Sequence, residues 1–197
     1  MRSAANTSAR DAILAAAFRV FGEAGIEATS LREVARAAGV SPALVVHHFG
    51  GKEGLVAAVD EAAVRQFADA YAGEGGQRED DLLRRRAAQT ARAMTDRPEV
   101  CAYLGRALVE GTDGSARLFA AMVAGGRAEI DVLAEAGAIR PDADRLWATL
   151  QHFLLIWAPL SFMPLLREAL GGDLLAPDQL ERWVEANVRL LEEGLYA

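Results

Sequence analysis

Residues 29–55, TSLREVARAAGVSPALVVHHFGGKEGL, constrain this chain more than any other stretch, because they carry start and stop signals for closely spaced helices. Leu31, Val34, Ala35 and Ala38 fall at i, i+3, i+4 and i+7, one face of a helix. Ser30 can cap that helix, and Glu33 three residues on completes a capping box. Gly39 ends it, since glycine takes the left-handed conformation that a helix terminus favours. Ser41 then caps a second helix, and Pro42 fits its first turn, where no N–H is needed. A third helix follows from Lys52. Helix, glycine-containing turn and helix make a helix-turn-helix, whose second helix enters the DNA major groove.

The surrounding residues make the motif more specific. Thr29-Ser30-Leu31-Arg32-Glu33-Val34-Ala35, Ala38-Gly39-Val40-Ser41, His47-His48-Phe49-Gly50 and Lys52-Glu53-Gly54-Leu55 resemble the DNA-binding domain of TetR-family transcriptional regulators. The resemblance covers roughly residues 8 to 58; beyond it only helical pattern and length agree. It implies an all-α protein: a three-helix DNA-binding domain over residues 1–52 and a larger helical ligand-binding and dimerisation domain over 53–197. The function it implies is a homodimeric regulator, by expectation a repressor, that binds a palindromic operator and is released by a small apolar effector. The chain departs from the family at Val46, where a tyrosine usually reaches the DNA, and at Gly51, often a serine that caps the next helix.

Direction along the second helix sorts its residues. Val45 and Phe49 are four apart and face the core, so Pro42, Ala43 and Val46 share the groove-facing side. Ser41, Leu44, His47 and Lys52 lie where backbone phosphates pass, and Thr29 and His48 join this DNA-facing set. Lys52, the single lysine, adds its charge to the N-terminal amides of its helix. Alanine and valine touch thymine methyls but cannot read donor and acceptor patterns. Arg32 is the candidate for a bidentate contact to guanine, with a phosphate clamp as the other reading. His47 and His48 point about 100° apart on a helix and do not chelate a metal together.

A net charge of −7 looks wrong for a DNA binder until it is divided. Residues 1–52 hold six basic and four acidic residues, net +2, and residues 53–197 hold 15 basic and 24 acidic, net −9. The basic end is the end with the motif, and the acidic remainder repels phosphate. At 52% hydrophobic the chain can bury a substantial core. Cys101 is the single cysteine, and no Cys/His cluster has metal spacing. The first residues lack the apolar core of a signal peptide, so a cytoplasmic protein is expected. The arginine and alanine bias points to GC-rich coding and a bacterium.

Helical patterning continues throughout, with helices expected over about 8–22, 52–72, 80–95, 98–110, 115–136 and 177–193 and a linker at Gly73-Glu74-Gly75-Gly76. Residues 146–166 carry no charge and are apolar nearly all round, which requires burial on every side. A second subunit can supply one side. Leu146, Leu150 and Leu154, with the stripe Leu180, Trp183, Val184, Asn187, Val188 and Leu191 of the last helix, would form a homodimeric four-helix bundle. For the stripe taken alone, ordinary core packing is the simpler reading. A membrane anchor through 146–166 competes by length, since about 20 apolar residues cross a bilayer, but Gln151, His152, Ser161, Pro159 and Pro164 interrupt it.

Candidates to line an effector pocket are Phe67, Tyr71, Met94, Tyr103, Leu104, Phe119, Met122, Gln151, His152 and Trp157. Gln151 and His152 stand out, because buried polar groups need partners. Pro159 and Pro164 should kink their helix and open space. No nucleophile elbow, phosphate loop, dinucleotide fingerprint or metal set is present, so neither catalysis nor a cofactor is expected. The remaining alternative is a helical interaction or ligand-binding module that has lost specific DNA binding.

Overall fold

Local capping chemistry sets the N-terminal helices in the computed structural model, which describes residues 8–71, 82–111, 113–135 and 137–194, with the side chains of 67–71, 82, 83, 85 and 86 outside that description. The Ser8 hydroxyl accepts from the Asp11 amide at 3.2 Å and opens α1 (Ala9–Ala24). Ser30 and Glu33 form the reciprocal box that starts α2 (Leu31–Ala38), with bonds of 3.3 and 2.7 Å. Gly39 closes α2 at φ 69°, in the left-handed region that glycine enters without penalty. Ser41 accepts from the Leu44 amide at 3.2 Å and starts α3 (Pro42–Phe49), with Pro42 in the first turn.

The rest of the chain is α4 (Lys52–Tyr71), α5 (Leu82–Asp96), α6 (Pro98–Ala107), α7 (Asp113–Glu135), α8 (Arg145–Ser161), α9 (Met163–Leu170) and α10 (Pro177–Gly194). The described residues hold ten helices and no extended strand, so the protein is all-α, as expected. Asp144 caps α8 by accepting from the amides of Leu146 and Trp147 at 2.9 and 3.1 Å.

The expected single helix over 146–166 is two. The axes of α8 and α9 are bent by 82°, with Phe162 at the corner. Proline explains the site of the break: Pro164 has no N–H to give the Leu160 carbonyl, and its ring cannot continue the helix, so it opens a new one instead. Among the described residues no single helix is long and apolar enough to cross a membrane.

Packing joins the two ends of the chain. Val45, Leu55, Val59, Tyr103, Leu104 and Leu160 belong to one buried cluster that runs from α1 to α8 across residue 52. α6 is its axis, lying against α1 on one side and α8 on the other. Two glycines permit the approach. A β-carbon at Gly22 would stand 3.0 Å from the Tyr103 nitrogen, and one at Gly105 would stand 2.5 Å from the Leu160 carbonyl oxygen. That oxygen is the acceptor that Pro164 leaves without its helical partner. A smaller cluster of Ile130, Leu133, Ile139, Ala148, Val188 and Leu191 ties α7, α8 and α10 together.

Tyr103 is fully buried where α1, α4 and α6 meet. Its ring stands edge-on to Phe18 at 5.5 Å, and its hydroxyl donates to Asp60 at 2.5 Å. Burial raises the Asp60 carboxyl above its ordinary range, against the pull of the Tyr103 hydrogen bond and Arg117. In the last turn of α6, Arg106 donates to the Ala24 carbonyl at 3.2 Å, and just after the helix Glu110 accepts from the Ile26 amide at 3.0 Å. The loop between α1 and α2 is thus held by the larger half of the molecule.

Candidate DNA-binding surface and internal cavity

α3 turns Val45 fully inward and leaves Pro42, Ala43, Val46, His47 and His48 exposed, with Leu44 and Phe49 half-buried at the edge. The i, i+4 spacing of Val45 and Phe49 imposes this, since both pack on the core and the helix must present its other face outward. Arg32 projects from the exposed side of α2. Arg10 of α1 lies over the Phe49 ring, 5.4 Å from its centroid.

Three residues of the expected DNA-facing set are occupied otherwise. Thr29 is buried, and its hydroxyl donates to the Gly25 carbonyl at 2.7 Å, so it braces the loop before α2 and does not project outward. The Ser41 hydroxyl is exposed but serves as the cap of α3. Lys52 is half-buried and donates to the Glu27 carbonyl at 3.1 Å, joining the start of α4 to the same loop.

A second feature is a partly open cavity of about 510 Å³ lined by α4, α5, α7, α8 and α10. This lies within the roughly 300–1,000 Å³ typical of small-molecule sites. Met122, His152 and Trp157, all expected as pocket residues, line it. Met94, Tyr103 and Leu104 do not; they are fully buried in the main core. Gln151 faces outward on the exposed side of α8. Phe119 lies outside the wall but stacks edge-on against Phe153, which is part of it, at 5.0 Å. The Phe67 and Tyr71 side chains lie outside the described residues.

The α10 stripe is partly taken up within its own chain. Leu180, Val188 and Leu191 are buried within their own chain, and Trp183, Val184, Asn187, Val188 and Leu191 line the cavity. The cavity helices of the same chain take up Leu180, Val188 and Leu191, while Trp183, Val184 and Asn187 stay half-buried. On α8 the expectation fares differently: Leu146 and Leu154 are more than half exposed, Leu150 is half-buried, and Trp147 is 58% exposed beside them. Phe162 and Leu165 extend the exposed apolar surface onto the corner and α9.

Sequence reasoning missed Glu129, Thr149 and the pair Gly125-Gly126 as cavity residues. The glycines carry a signal that was available. Each costs about 1 kcal/mol against alanine inside a helix, and α7 holds two in succession where open volume begins.

His152 is the polar centre of the wall. Its Nδ1 is buried without a hydrogen-bond partner among the described residues. Burial lowers its pKa from 6.5, with Glu129 opposing the shift. The native ring is therefore neutral where an unfolded histidine is half-charged. Unfolding takes up a proton as pH falls through 6.5, so stability is lost from there down to the lowered native pKa. The melting temperature should drop between pH 7.5 and 5.5, and His152→Leu should reduce that drop; equal drops in both proteins would show that His152 is not the cause.

Residues 13–59 match the profile of bacterial regulatory proteins of the tetR family. The chain is 34% identical over 144 residues to the HTH-type transcriptional regulatory protein RaaS of Mycobacterium tuberculosis, covering 73% of this chain and 65% of that protein. The chain thus spans just under two thirds of that relative's length. It is 45% identical over 60 residues to the HTH-type transcriptional regulator BetI of Rhizobium meliloti, 30% of each chain. Among solved structures, a TetR-family transcriptional regulator from Rhodococcus sp. superposes with a TM-score of 0.68 at 26% identity, over 90% of this chain and 95% of that one. The ketosteroid transcriptional regulator KstR2 of Mycobacterium tuberculosis shares the fold, with a TM-score of 0.66 at 18% identity and 96% coverage of both chains. The matched proteins are transcriptional regulators and not enzymes. Residues 13–59 thus carry a helix-turn-helix of the tetR-family type, and the helical domain behind it has the fold of the TetR-family regulators that it superposes on.

Proposed function

We propose that this protein is a DNA-binding transcriptional regulator, a homodimeric repressor that holds an inverted-repeat operator and is released by a small, largely apolar effector. The observation that carries the reading is the outward face of α3: Pro42, Ala43 and Val46 stand clear of the core on a helix whose inner side is locked by Val45. Residues 1–52 read the DNA, and residues 53–197 bind the effector and pair the subunits, in a bacterial cytoplasm. The exposed face of α8, from Leu146 through Trp147 and Leu150 to Leu154, is the subunit contact. It is an apolar stripe at helical spacing, with Gln151 as its one polar member, and such stripes seek a partner.

Coupling follows from the packing. An effector in the cavity presses on Phe153 and Trp157 of α8. α8 bears on α6 at Leu160 and Gly105, and α6 bears on α1 and its loop through Tyr103, Arg106 and Glu110. An effector that prefers one spacing of the two α3 helices weakens DNA binding by its ratio of affinities, and DNA weakens effector binding equally.

The groove face lacks hydrogen-bonding side chains apart from its histidines, so much of the affinity should be electrostatic and salt-dependent. Val46→Tyr adds a hydroxyl at 46% exposure without disturbing the core. It is expected to tighten operator binding by roughly fivefold to tenfold, about the worth of one added hydrogen bond. A gel-shift titration against the unsubstituted protein measures it. Unchanged or weaker binding would contradict the orientation assigned to α3.

A further inference from the structure

The cavity wall holds a hydrogen-bonding ring that the fold itself leaves unused. Thr149 donates its hydroxyl to the Arg145 carbonyl at 2.7 Å, and Thr90 and Glu129 have interactions within the fold. Tryptophans aside, that leaves His152 and Asn187 among the described polar side chains of the wall. Neither ring nitrogen of His152 has a hydrogen-bond partner among the described residues. Nδ1 is shut off from solvent, which leaves Nε2 to meet a molecule in the cavity. The residues that follow on α8 and line the same wall, Phe153, Ile156 and Trp157, are apolar or aromatic. Phe153 and Trp157 lie 6.2 Å apart and only 33° from parallel, so they form one tilted aromatic surface.

We propose that the cavity takes a flat apolar molecule bearing one hydroxyl, a phenol or fused-ring alcohol, whose hydroxyl hydrogen-bonds to His152 while its rings lie against Phe153 and Trp157. This rests on the reading of the cavity as the effector site and adds the polar group of the ligand and the side chain that meets it. A neutral imidazole keeps one nitrogen as donor and the other as acceptor, and a hydroxyl can answer either. A carbonyl or ether oxygen answers only a donor, and a hydrocarbon answers neither. Burial disfavours the charged ring, so His152 is neutral at neutral pH and little water competes for it. A hydrogen bond to a buried group that otherwise goes unmatched is worth more than an average one, because it also lifts a desolvation penalty. The aromatic surface beside it favours ligand rings in offset or edge-on contact.

The test is calorimetric titration of the purified full chain with two probes of one shape, beta-naphthol and beta-methylnaphthalene, which differ by a hydroxyl against a methyl. One beta-naphthol per chain should bind about tenfold more tightly than beta-methylnaphthalene, against the order that apolar burial alone would give. His152→Leu should erase that advantage while leaving beta-methylnaphthalene binding intact, which also reports that the variant is folded. Asn187→Leu, at the other polar side chain of the wall, should leave the advantage in place. Beta-methylnaphthalene binding as tightly as the naphthol, an advantage that survives His152→Leu, or one lost in Asn187→Leu overturns the hydroxyl assignment alone. Failure of both probes to bind overturns the effector-cavity reading with it.

Discussion

Leu154→Glu is expected to turn the proposed dimer into single subunits and to weaken operator binding by at least about 100-fold. The side chain is 53% exposed on the outer face of α8, so the monomer loses little by the change. In the paired state the carboxylate would be buried against its symmetry mate with no cation to meet it, and each such buried charge costs several kcal/mol. DNA affinity falls for a separate reason. Two linked recognition helices gain roughly 10²–10⁴ in avidity over one, and the gain vanishes when the link does. Sedimentation velocity and an anisotropy titration, run on the same sample, read both losses. A variant that remains dimeric places the interface elsewhere.

The second large effect belongs to Gly105. A valine there would put its β-carbon 2.5 Å from the Leu160 oxygen and 2.7 Å from the Leu160 carbon, both backbone atoms that cannot swing aside. α6 and α8 must separate, and overpacking of this kind costs about 3 kcal/mol. For a chain of this length that corresponds to a fall in melting temperature of about 6–12 °C. Gly125→Ala is the matched control. Nothing lies within 4 Å of its added carbon, and alanine is the better helix former, so its melting temperature should hold or rise. Thermal unfolding followed by circular dichroism checks the pair. If Gly105→Val melts with the unsubstituted protein, the α6–α8 crossing is not the rigid contact described above.

What could be read from sequence was local. Ser30, Gly39 and Ser41 act on amides within a few residues, so their roles follow from chain order alone, and all three sit where that chemistry puts them. Direction on α3 was legible for a similar reason, since a short helix with Val45 and Phe49 inward has only one outer side. Tertiary competition defeated the reading elsewhere. Thr29 matched a motif position, yet its hydroxyl found a backbone carbonyl four residues back. Pro159 and Pro164 signalled a bend, but only the lost bond to Leu160 and the approach of α6 place it at Phe162.

The α10 stripe illustrates the deeper limit. Periodicity shows that Leu180, Val184, Val188 and Leu191 share a face, and it cannot say whether that face meets the same chain or another. Here the same chain buries Leu180, Val188 and Leu191, and Trp183, Val184, Asn187, Val188 and Leu191 line a cavity. Met94, Tyr103 and Leu104 fail in the complementary way. They are large, apolar or aromatic and central, and packing around α6 uses them up before any space is left.

The central claim is that two copies of α3 read neighbouring major grooves from one twofold-symmetric dimer. Selection of bound duplexes from a random-sequence pool, followed by weighing the complex in the ultracentrifuge, tests it most directly. The account predicts an inverted repeat with half-site centres about 34–36 Å apart, occupied by chains in pairs. A selected site without symmetry, held by a single chain, would contradict it.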